Sequence, residues 1–238
     1  MYKDFKRISD IIFSAITLLL LLPVFIPIII ILKLTGEGEI FYRQERLGFQ
    51  NRTFGILKFA TMLKNSASMG SGLVTVRKDP RITPLGGFLR RYKINELPQL
   101  WNVFSGEMSF VGPRPLPESS VAKYNDGVRK ILYKNRPGIT GIGSLIFRDE
   151  EKLVTCWKNS GGEPLDYYRT YIYPYKGMLE KWYYDNISFI TDLKLLFLTA
   201  WSLFDSHSNL PYLFFRNLPV KPLELNEKWI LNKHEMKE

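Results

Sequence analysis

The chain has 238 residues, of which 45% are hydrophobic, and a formal net charge of +10 at pH 7. This length predicts one main domain with a real core, and the charge favours anionic partners such as phosphorylated substrates, an anionic membrane surface or nucleic acid. The single cysteine, Cys156, excludes an intramolecular disulfide, and the two histidines, His207 and His234, argue against a histidine metal site or a Ser-His-Asp triad.

An apolar segment without a charged residue runs from Ile11 to Leu32. As a helix it would be about 33 Å long, enough to cross the hydrocarbon core of a bilayer. Basic residues precede and follow it, and basic flanks favour the cytoplasmic side. A straight span would leave one basic flank outside. The flanking residues are Lys3, Lys6 and Arg7 on one side and Lys33, Arg43 and Arg46 on the other.

Two prolines, Pro23 and Pro27, lie inside this segment. Each removes a helical hydrogen bond and crowds the preceding turn, so the sequence predicts a kink or break near Pro23. A helix broken there could enter and leave the membrane by the same face, which would suit both basic flanks. From charge and prolines alone, a kinked transmembrane helix and a re-entrant helix stay equally open.

The rest of the chain predicts a mostly helical α+β domain with a small β-element. Turn residues at Gly48 and Asn51 indicate a strand-turn-strand unit, and apolar patterning favours helices further along the chain. Aromatic and basic residues mixed with apolar faces suit a domain that lies in the membrane interface on amphipathic helices. The predicted helices cover Leu85–Tyr92, Leu97–Phe104, Val121–Tyr133 and Ile187–Phe204.

Arg114 stands between Pro113 and Pro115. Proline fixes its own φ and biases the preceding residue toward extended backbone, so Arg114 is predicted on a stiff, non-helical stretch. A rigidly held guanidinium suits a bidentate grip on phosphate. The structural alternative is an arginine that pairs with the C-terminus of a helix.

A second group of candidate residues precedes it: Arg90 at the end of a short helix, then Asn95 and Glu96. Asn95 has a structural alternative as an N-cap, because Leu97 and Pro98 are typical of a helix start. A carboxylate, several arginines and a nearby membrane segment together fit a Mg²⁺-assisted transfer of a phosphate-bearing group at a membrane surface.

Four stretches carry a resemblance to a known family. They are YRQERLGFQNRTFGILKFATM, DPRITPLGGFLRRYKINELPQLWNVFSGEMSFVGPRPLP, NRPGITGIGS and WYYDNISFITDLKLLFLTAW. In this order they resemble the bacterial sugar transferases, the monotopic phosphoglycosyl transferases that initiate polysaccharide, O-antigen and glycoprotein assembly. The resemblance covers Lys6 to about Phe204.

The resemblance implies a re-entrant membrane helix over residues 1–34 hinged at Pro23, a membrane-associated catalytic domain over 35–204 and a tail over 205–238. It implies location at the bacterial inner membrane, with the catalytic domain facing the cytoplasm. The implied reaction transfers a sugar 1-phosphate from a nucleotide diphosphate sugar, with a UDP-sugar as the favoured donor, to polyprenyl phosphate.

The resemblance also implies roles for individual residues. Arg90 and Arg114 match family arginines associated with phosphate binding, and Lys58 matches the lysine of a KFRTM-like motif. Glu96 matches the glutamate that assists with Mg²⁺. Inner-membrane lipids are expected partners, nucleic acid is not, and a homodimer is left open.

Two positions depart from the family pattern. The family usually has Asp-Glu where this chain has Asn95-Glu96, and that Asp is the nucleophile; the arginine of the KFRTM-like motif is Ala60 here. An amide is no nucleophile toward phosphorus, so three mechanisms stay open. The lipid phosphate attacks directly while Glu96 binds Mg²⁺; or Glu96, or a carboxylate from residues 148–151, becomes the nucleophile; or the chain is an inactive relative or an engineered Asp-to-Asn variant.

The competing function is a membrane scaffold with impaired or absent catalysis, which binds nucleotide sugars or partner glycosyltransferases. Asn95 and Ala60 favour it. A nucleic-acid binder, suggested by charge alone, would need no apolar segment and shows no motif. The sequence does not identify the sugar or the nucleotide base, and it assigns no role to the tail.

Overall fold

The computed structural model describes residues 2–35, 37–66, 79–202, 210–227 and 229–231. They form two compact units. The first contains residues 3–46 and 53–108, and the second contains Tyr2, residues 47–52 and the chain from residue 109 onward. The predicted division at residues 34 and 204 stays a prediction, and residues 205–209, 228 and 232–238 of the predicted tail lie outside the described residues.

The mostly helical α+β class is confirmed. The first unit carries a long helix, two strands that pair in a sheet, a 3₁₀ turn over Ile94–Glu96 and two short helices. The elements are α1 (Tyr2–Leu34), β1 (Phe41–Leu47), β2 (Thr53–Phe59), α2 (Pro84–Arg91) and α3 (Gln99–Ser105). The predicted strand-turn-strand unit is β1 and β2, joined by a 3₁₀ turn over Phe49–Asn51.

Helix α1 stays helical through Pro23 and Pro27, so no break appears at Pro23. In lipid, such a helix would tend to stay intact, because breaking it leaves backbone groups without hydrogen bonds, which is costly. Prolines are tolerated in membrane helices because neighbouring helices can satisfy the freed backbone groups. Among the described residues it is the one helix long and apolar enough to cross a membrane, and only 6% of its most apolar window is buried.

One face of α1 packs on the rest of the first unit. Phe25 and Leu32 form a buried cluster with Phe59 of β2 and Leu89 of α2, and the Phe25 and Phe59 rings meet edge to face at 5.4 Å. Arg7 donates hydrogen bonds to the carbonyl oxygens of residues 103 and 104 at 2.7 and 2.8 Å. The amino end of α1 therefore contacts α3, and its carboxyl half contacts β2 and α2, all within the first unit.

Besides a π-helical stretch over Tyr168–Ile172 and a 3₁₀ turn over Leu223–Leu225, the second unit contains two short parallel strands and eight α-helices among its described residues. They are β3 (Ser109–Val111), α4 (Glu118–Val121), α5 (Asp126–Leu132), β4 (Gly138–Thr140), α6 (Ile142–Ile146), α7 (Glu150–Asn159), α8 (Pro164–Tyr167), α9 (Tyr173–Asp185), α10 (Phe189–Trp201) and α11 (Leu210–Phe214). Strand β3 pairs with β4 in the register Ser109 to Gly138 and Val111 to Thr140.

The prediction of one helix over Val121–Tyr133 is wrong, because two helices, α4 and α5, share that stretch. Asn125 separates them. Its backbone is extended and its side chain accepts a hydrogen bond from the amide of Val128 at 2.9 Å, so it begins a new helix.

The core of the second unit is aromatic and lies around α9, where Tyr175, Leu179 and Tyr183 are almost completely buried. Helix α10 buries Leu195 and Leu198 in this core while it exposes another apolar face.

Candidate functional site

The first unit holds a cavity of about 710 Å³ between strand β1, the end of β2, the end of α2 and the 3₁₀ turn that follows α2. Four sequence-predicted site residues line it: Lys58, Arg90, Asn95 and Glu96. Residues separated by up to 38 positions thus meet at one site.

Lys58 and Glu96 form an ion pair in the cavity wall. Lys58 lies near the end of β2, and Glu96 closes the 3₁₀ turn; the Lys58 Nζ to Glu96 Oε1 distance is 3.5 Å. Their side chains are 22% and 31% exposed, so both reach solvent within the cavity. A weak, half-exposed pair of this kind leaves both groups able to contact a ligand.

Arg90 is placed by the packing of α2 on residue Thr61. The Arg90 guanidinium donates to the Thr61 hydroxyl at 3.3 Å, and the Thr61 carbonyl accepts from the amide of Thr83 at 3.1 Å. Gly86 makes this approach possible, because a Cβ there would lie 2.1 Å from the Thr61 carbonyl oxygen. The predicted position of Arg90 in the last turn of a short helix is confirmed.

Asn95 does not cap α3, so the capping interpretation is wrong. It lies inside the 3₁₀ turn, and Pro98 precedes the first residue of α3. The residue is 8% exposed, and its Oδ1 atom has no hydrogen-bond partner among the residues that the structure describes. A buried carbonyl oxygen without a donor is costly, and Asn95 lines the cavity. A ligand that donates a hydrogen bond to this oxygen, or a metal ion that the oxygen coordinates, would remove that cost.

The cavity wall is positively charged, because five cationic side chains line it against two carboxylates. One carboxylate, Glu39, is paired with Lys64 at 2.9 Å, and this hydrogen bond holds the pKa of Glu39 below its ordinary value. The cationic residues are Arg46, Lys58, Lys64, Arg90 and Lys93. Such a wall suits a ligand with more than one negative charge.

Asn102, which the sequence did not indicate as a site residue, holds α3 against β2 behind the cavity wall. Its amide donates to the Gly55 carbonyl at 2.9 Å and to Glu107 at 2.7 Å, and its Oδ1 accepts from the amide of Leu57 at 2.9 Å. The residue is 2% exposed. These bonds fix α3 to β2 just before Lys58. The sequence signal that could have indicated this role is an asparagine among the apolar residues of a short helix. A buried side-chain amide needs several hydrogen-bond partners, so it often joins two elements.

Arg114 belongs to the second unit. The stretch around it is non-helical, as predicted, and the Tyr133 hydroxyl clamps it: this hydroxyl accepts from the amide of Leu116 at 2.9 Å and donates to the Arg114 carbonyl at 3.0 Å. The Arg114 side chain is exposed and makes no hydrogen bond or ion pair with a described residue. The alternative that it pairs with a helix C-terminus therefore finds no support.

A metal ion would find few protein ligands here. Within the described ranges, no group of three acidic, histidine or cysteine side chains could hold one. Mg²⁺ is commonly bound through one or two carboxylates together with substrate phosphates and water. Glu96, with the unpartnered Asn95 oxygen in the same cavity wall, fits that sparse pattern.

Comparison with known proteins identifies the family to which the chain belongs. A model of the bacterial sugar transferase family matches residues 1–206. The chain belongs to the bacterial sugar transferase family. The family match covers both α1 and the cavity of this sugar transferase.

Curated relatives of this sugar transferase share about a third of its residues. The exopolysaccharide production protein ExoY of Sinorhizobium fredii is 35% identical, covering 63% of this chain and 72% of its own. The undecaprenyl-phosphate galactose phosphotransferase of Salmonella typhimurium is 32% identical over 82% of this chain. The UDP-glucose:undecaprenyl-phosphate glucose-1-phosphate transferase of Klebsiella pneumoniae is 35% identical over 59% of this chain. The chain spans only 39% and 30% of these last two.

Ala60 and Asn95, the two positions that the sequence set apart from the expected family pattern, both line this cavity.

Proposed function

We propose that this sugar transferase moves a sugar 1-phosphate from a UDP-sugar to polyprenyl phosphate at the inner membrane, and so initiates exopolysaccharide or antigen assembly. The observation that carries the proposal is the cationic cavity in which Lys58, Arg90, Asn95 and Glu96 meet. Relatives whose names give undecaprenyl phosphate as acceptor and UDP-glucose as donor support this substrate class.

The size and charge of the cavity suit a nucleotide diphosphate. Its volume, about 710 Å³, lies within the range of small-molecule sites. Lys58 and Arg90 would bind the diphosphate oxygens. Arg114, in the second unit, is proposed to bind phosphate through a bidentate contact, as its family counterpart implies. Negative charge that develops on the leaving oxygen would then be stabilised by Arg90 and Lys58. Thr61 holds the Arg90 side chain, and Asn102 holds the backbone beside Lys58.

Mg²⁺ is proposed as the cofactor, with Glu96 and the Asn95 carbonyl oxygen as its protein ligands. When bound, it would neutralise charge on the diphosphate of the donor. The support for the site is the Glu96 carboxylate, 31% exposed in the cavity wall, next in sequence to an Asn95 oxygen that is buried without a donor among the described residues.

Direct transfer is the mechanism that these residues favour. An oxygen of polyprenyl phosphate attacks the sugar-bearing phosphorus of the donor; the new P–O bond forms as the bond to the UMP oxygen breaks, and UMP leaves. Asn95 supplies no ionised oxygen for a covalent step. Glu150, from the acidic stretch that was the alternative nucleophile, is held by Lys176 at 2.5 Å.

The experiment separates these mechanisms by omitting the acceptor. Protein, UDP-sugar and Mg²⁺ are incubated with and without polyprenyl phosphate, and both UMP release and intact mass are measured over a panel of sugars. Direct transfer gives UMP only with the acceptor and no mass adduct. Glu96→Gln should abolish turnover, while Glu39→Gln, a second cavity carboxylate already paired with Lys64, serves as the matched control.

A stoichiometric phosphosugar adduct that Glu96→Gln removes would reject direct transfer and make Glu96 the nucleophile. Absence of turnover with every sugar, together with measurable UDP-sugar binding, would favour the second candidate, a non-catalytic membrane scaffold. The observation that favours this scaffold is that Asn95 and Ala60 replace charged family residues in one cavity.

We also propose that α1 is re-entrant in the membrane, with both ends on the cytoplasmic face, and that the continuous helix bends at Pro23. The support comes from Arg7, near the start of α1, which donates to the carbonyl oxygens of Val103 and Phe104 in α3. A helix that crossed the bilayer would carry Arg7 to the side opposite α3.

A further inference from the structure

We propose that a second cavity, formed by the second unit alone, binds the phosphate of an anionic membrane lipid. This cavity measures about 630 Å³ and lies between the end of α9, helix α10 and the chain that leaves α11. None of its lining residues contributes to the cavity that holds Glu96, so the proposed transferase reaction leaves it without a role.

Two cations and no carboxylate line this cavity among the residues that the structure describes. Lys194 donates to the Phe214 carbonyl at 3.3 Å, and its ammonium lies 5.7 Å from the centre of the Phe215 ring, so its head group is held at the cavity. Arg216 is exposed and makes no hydrogen bond or ion pair within the described part of the chain. Their joint charge is uncompensated, which favours an anion.

A buried donor points to the same ligand class. Trp182 lines the cavity and is 7% exposed, yet its indole N–H has no hydrogen-bond partner among the described residues. Its ring packs against Phe215 at 5.0 Å, which fixes the indole. Buried N–H groups are rarely left unpaired, and a phosphate oxygen at the cavity would accept this bond alongside Lys194 and Arg216.

The surface beside the cavity is apolar, and this selects a lipid over a soluble phosphate. The exposed side chains of α10 recur at the spacing of one helical face. Phe197 stacks on Phe214, which lines the cavity, at 5.8 Å and on Trp201 at 6.2 Å. The stripe comprises Phe189, Leu193, Leu196, Phe197 and Trp201.

An amphipathic ligand satisfies both features at once. The headgroup phosphate would lie between Lys194, Arg216 and the Trp182 N–H, and the acyl chains would lie along the stripe of α10. Cations at the edge of an apolar helix face are the arrangement by which interfacial helices bind anionic bilayers. A soluble phosphate would leave the stripe uncovered.

The test uses the full chain in neutral detergent, without donor or acceptor, and counts bound lipids by native mass spectrometry. Phosphatidylglycerol should bind more tightly than phosphatidylcholine. Lys194→Ala with Arg216→Ala should weaken phosphatidylglycerol binding by about tenfold or more, because charge-assisted hydrogen bonds are lost. Trp182→Phe keeps an aromatic ring but removes the N–H, and it should weaken binding several-fold.

The control removes the same charge elsewhere in the unit: Lys152→Ala with Lys158→Ala, both exposed on α7, should leave the binding of phosphatidylglycerol unchanged. Equal binding of the two lipids, or unchanged binding in the Lys194 and Arg216 variant, would overturn the proposal. Glycerol 3-phosphate that competes with the lipid at equal concentration would assign the site to soluble phosphate esters and overturn the lipid assignment. Arg216→Ala alone, at an exposed position, keeps the test valid if the double variant fails to fold.

Discussion

Asn95 is the residue that most constrains the chemistry, because a carboxamide has no ionised oxygen to attack phosphorus. Its oxygen is nevertheless buried in the wall of the cavity without a donor among the described residues. That arrangement is unfavourable for the empty site and favourable for an occupied one. It fits a residue that binds rather than one that reacts.

Arg114 is expected to matter for turnover and hardly at all for stability. Its side chain is exposed, while the Tyr133 hydroxyl holds only its backbone. Arg114→Ala should raise the activation free energy by about 2–4 kcal/mol, the usual cost of losing a charge-assisted donor in a catalytic site. Arg114→Lys should restore little, because a point charge cannot reproduce the guanidinium fork. Steady-state kcat/KM for UMP release measures both, and a fully active lysine variant would contradict bidentate binding.

Glu180 on α9 should make stability fall as pH rises. It is 8% exposed, and burial raises its pKa to about 7, although Lys176 opposes the shift. The folded state therefore holds the proton more tightly than the unfolded state. The benefit is complete below the ordinary pKa of 4.5 and is lost as pH rises to about 7. The loss is on the order of 3 kcal/mol.

Thermal unfolding of the full chain in detergent between pH 4.5 and 8.5 checks this. Glu180→Gln keeps the shape but not the charge, so its melting temperature should exceed that of the native chain at pH 8 and match it near pH 4.5. Glu163→Gln, at an exposed carboxyl, should change neither curve. Parallel pH curves for the native chain and Glu180→Gln would mean that Glu180 carries its charge in the folded state.

At the scale of elements, α2 is the helix that positions the site, and it does so through a glycine pair. Gly86 faces the Thr61 carbonyl, where a Cβ would lie at 2.1 Å, whereas a Cβ at Gly87 would meet only Ile82, at 4.0 Å. Adjacent positions of one helix thus have opposite tolerance for a methyl group.

Gly86→Ala should push α2 away from Thr61, break the contact of Arg90 with Thr61 and cost about 1–3 kcal/mol in stability. Gly87→Ala should stabilise the protein by up to about 1 kcal/mol, because alanine is the better helix former. Thermal unfolding measures the stability, and UMP release measures the site. Equal effects of the two substitutions would show that α2 does not rest on Thr61 as described.

The elements could be predicted where local signals decide them. Arg90, Asn95 and Glu96 could be picked out from their residue types, whereas the role of Lys58 came only from the family pattern. Turn residues at Gly48 and Asn51 indicated the hairpin, and the helix over 85–92 followed from its apolar spacing. Asn102 and Thr61 escaped prediction because their roles arise from contacts across more than twenty residues. The break at Pro23 was expected from the intrinsic propensity of proline, but the helix continues through it.

At the scale of the whole molecule, the +10 charge and the long apolar helix α1 are consistent with association with an anionic membrane. Basic residues near a membrane segment are attracted to the negative cytoplasmic leaflet. The hydrogen bonds from Arg7 to Val103 and Phe104 hold the amino end of α1 on α3.

The side of the membrane can be tested with a cysteine at position 3. In a Cys156→Ser background, Lys3→Cys should react with a membrane-impermeant maleimide only after the inner membrane is permeabilised, and Glu163→Cys should behave in the same way. Replacing Pro23 and Pro27 by leucine favours a continuous span, so labelling of position 3 from outside should then appear. Labelling of position 3 in intact spheroplasts with both prolines present would contradict the re-entrant proposal.

The bonds from Arg7 to the Val103 and Phe104 carbonyls also set an order of events during synthesis. The partner of Arg7 is translated 96 residues after it, a delay of about 5–20 s at ordinary rates of elongation. The apolar segment, residues 11–32, is therefore synthesised well before those carbonyls exist. In the re-entrant arrangement proposed above, its orientation would be set first by its own flanking charges, and the later contact with α3 would hold that orientation.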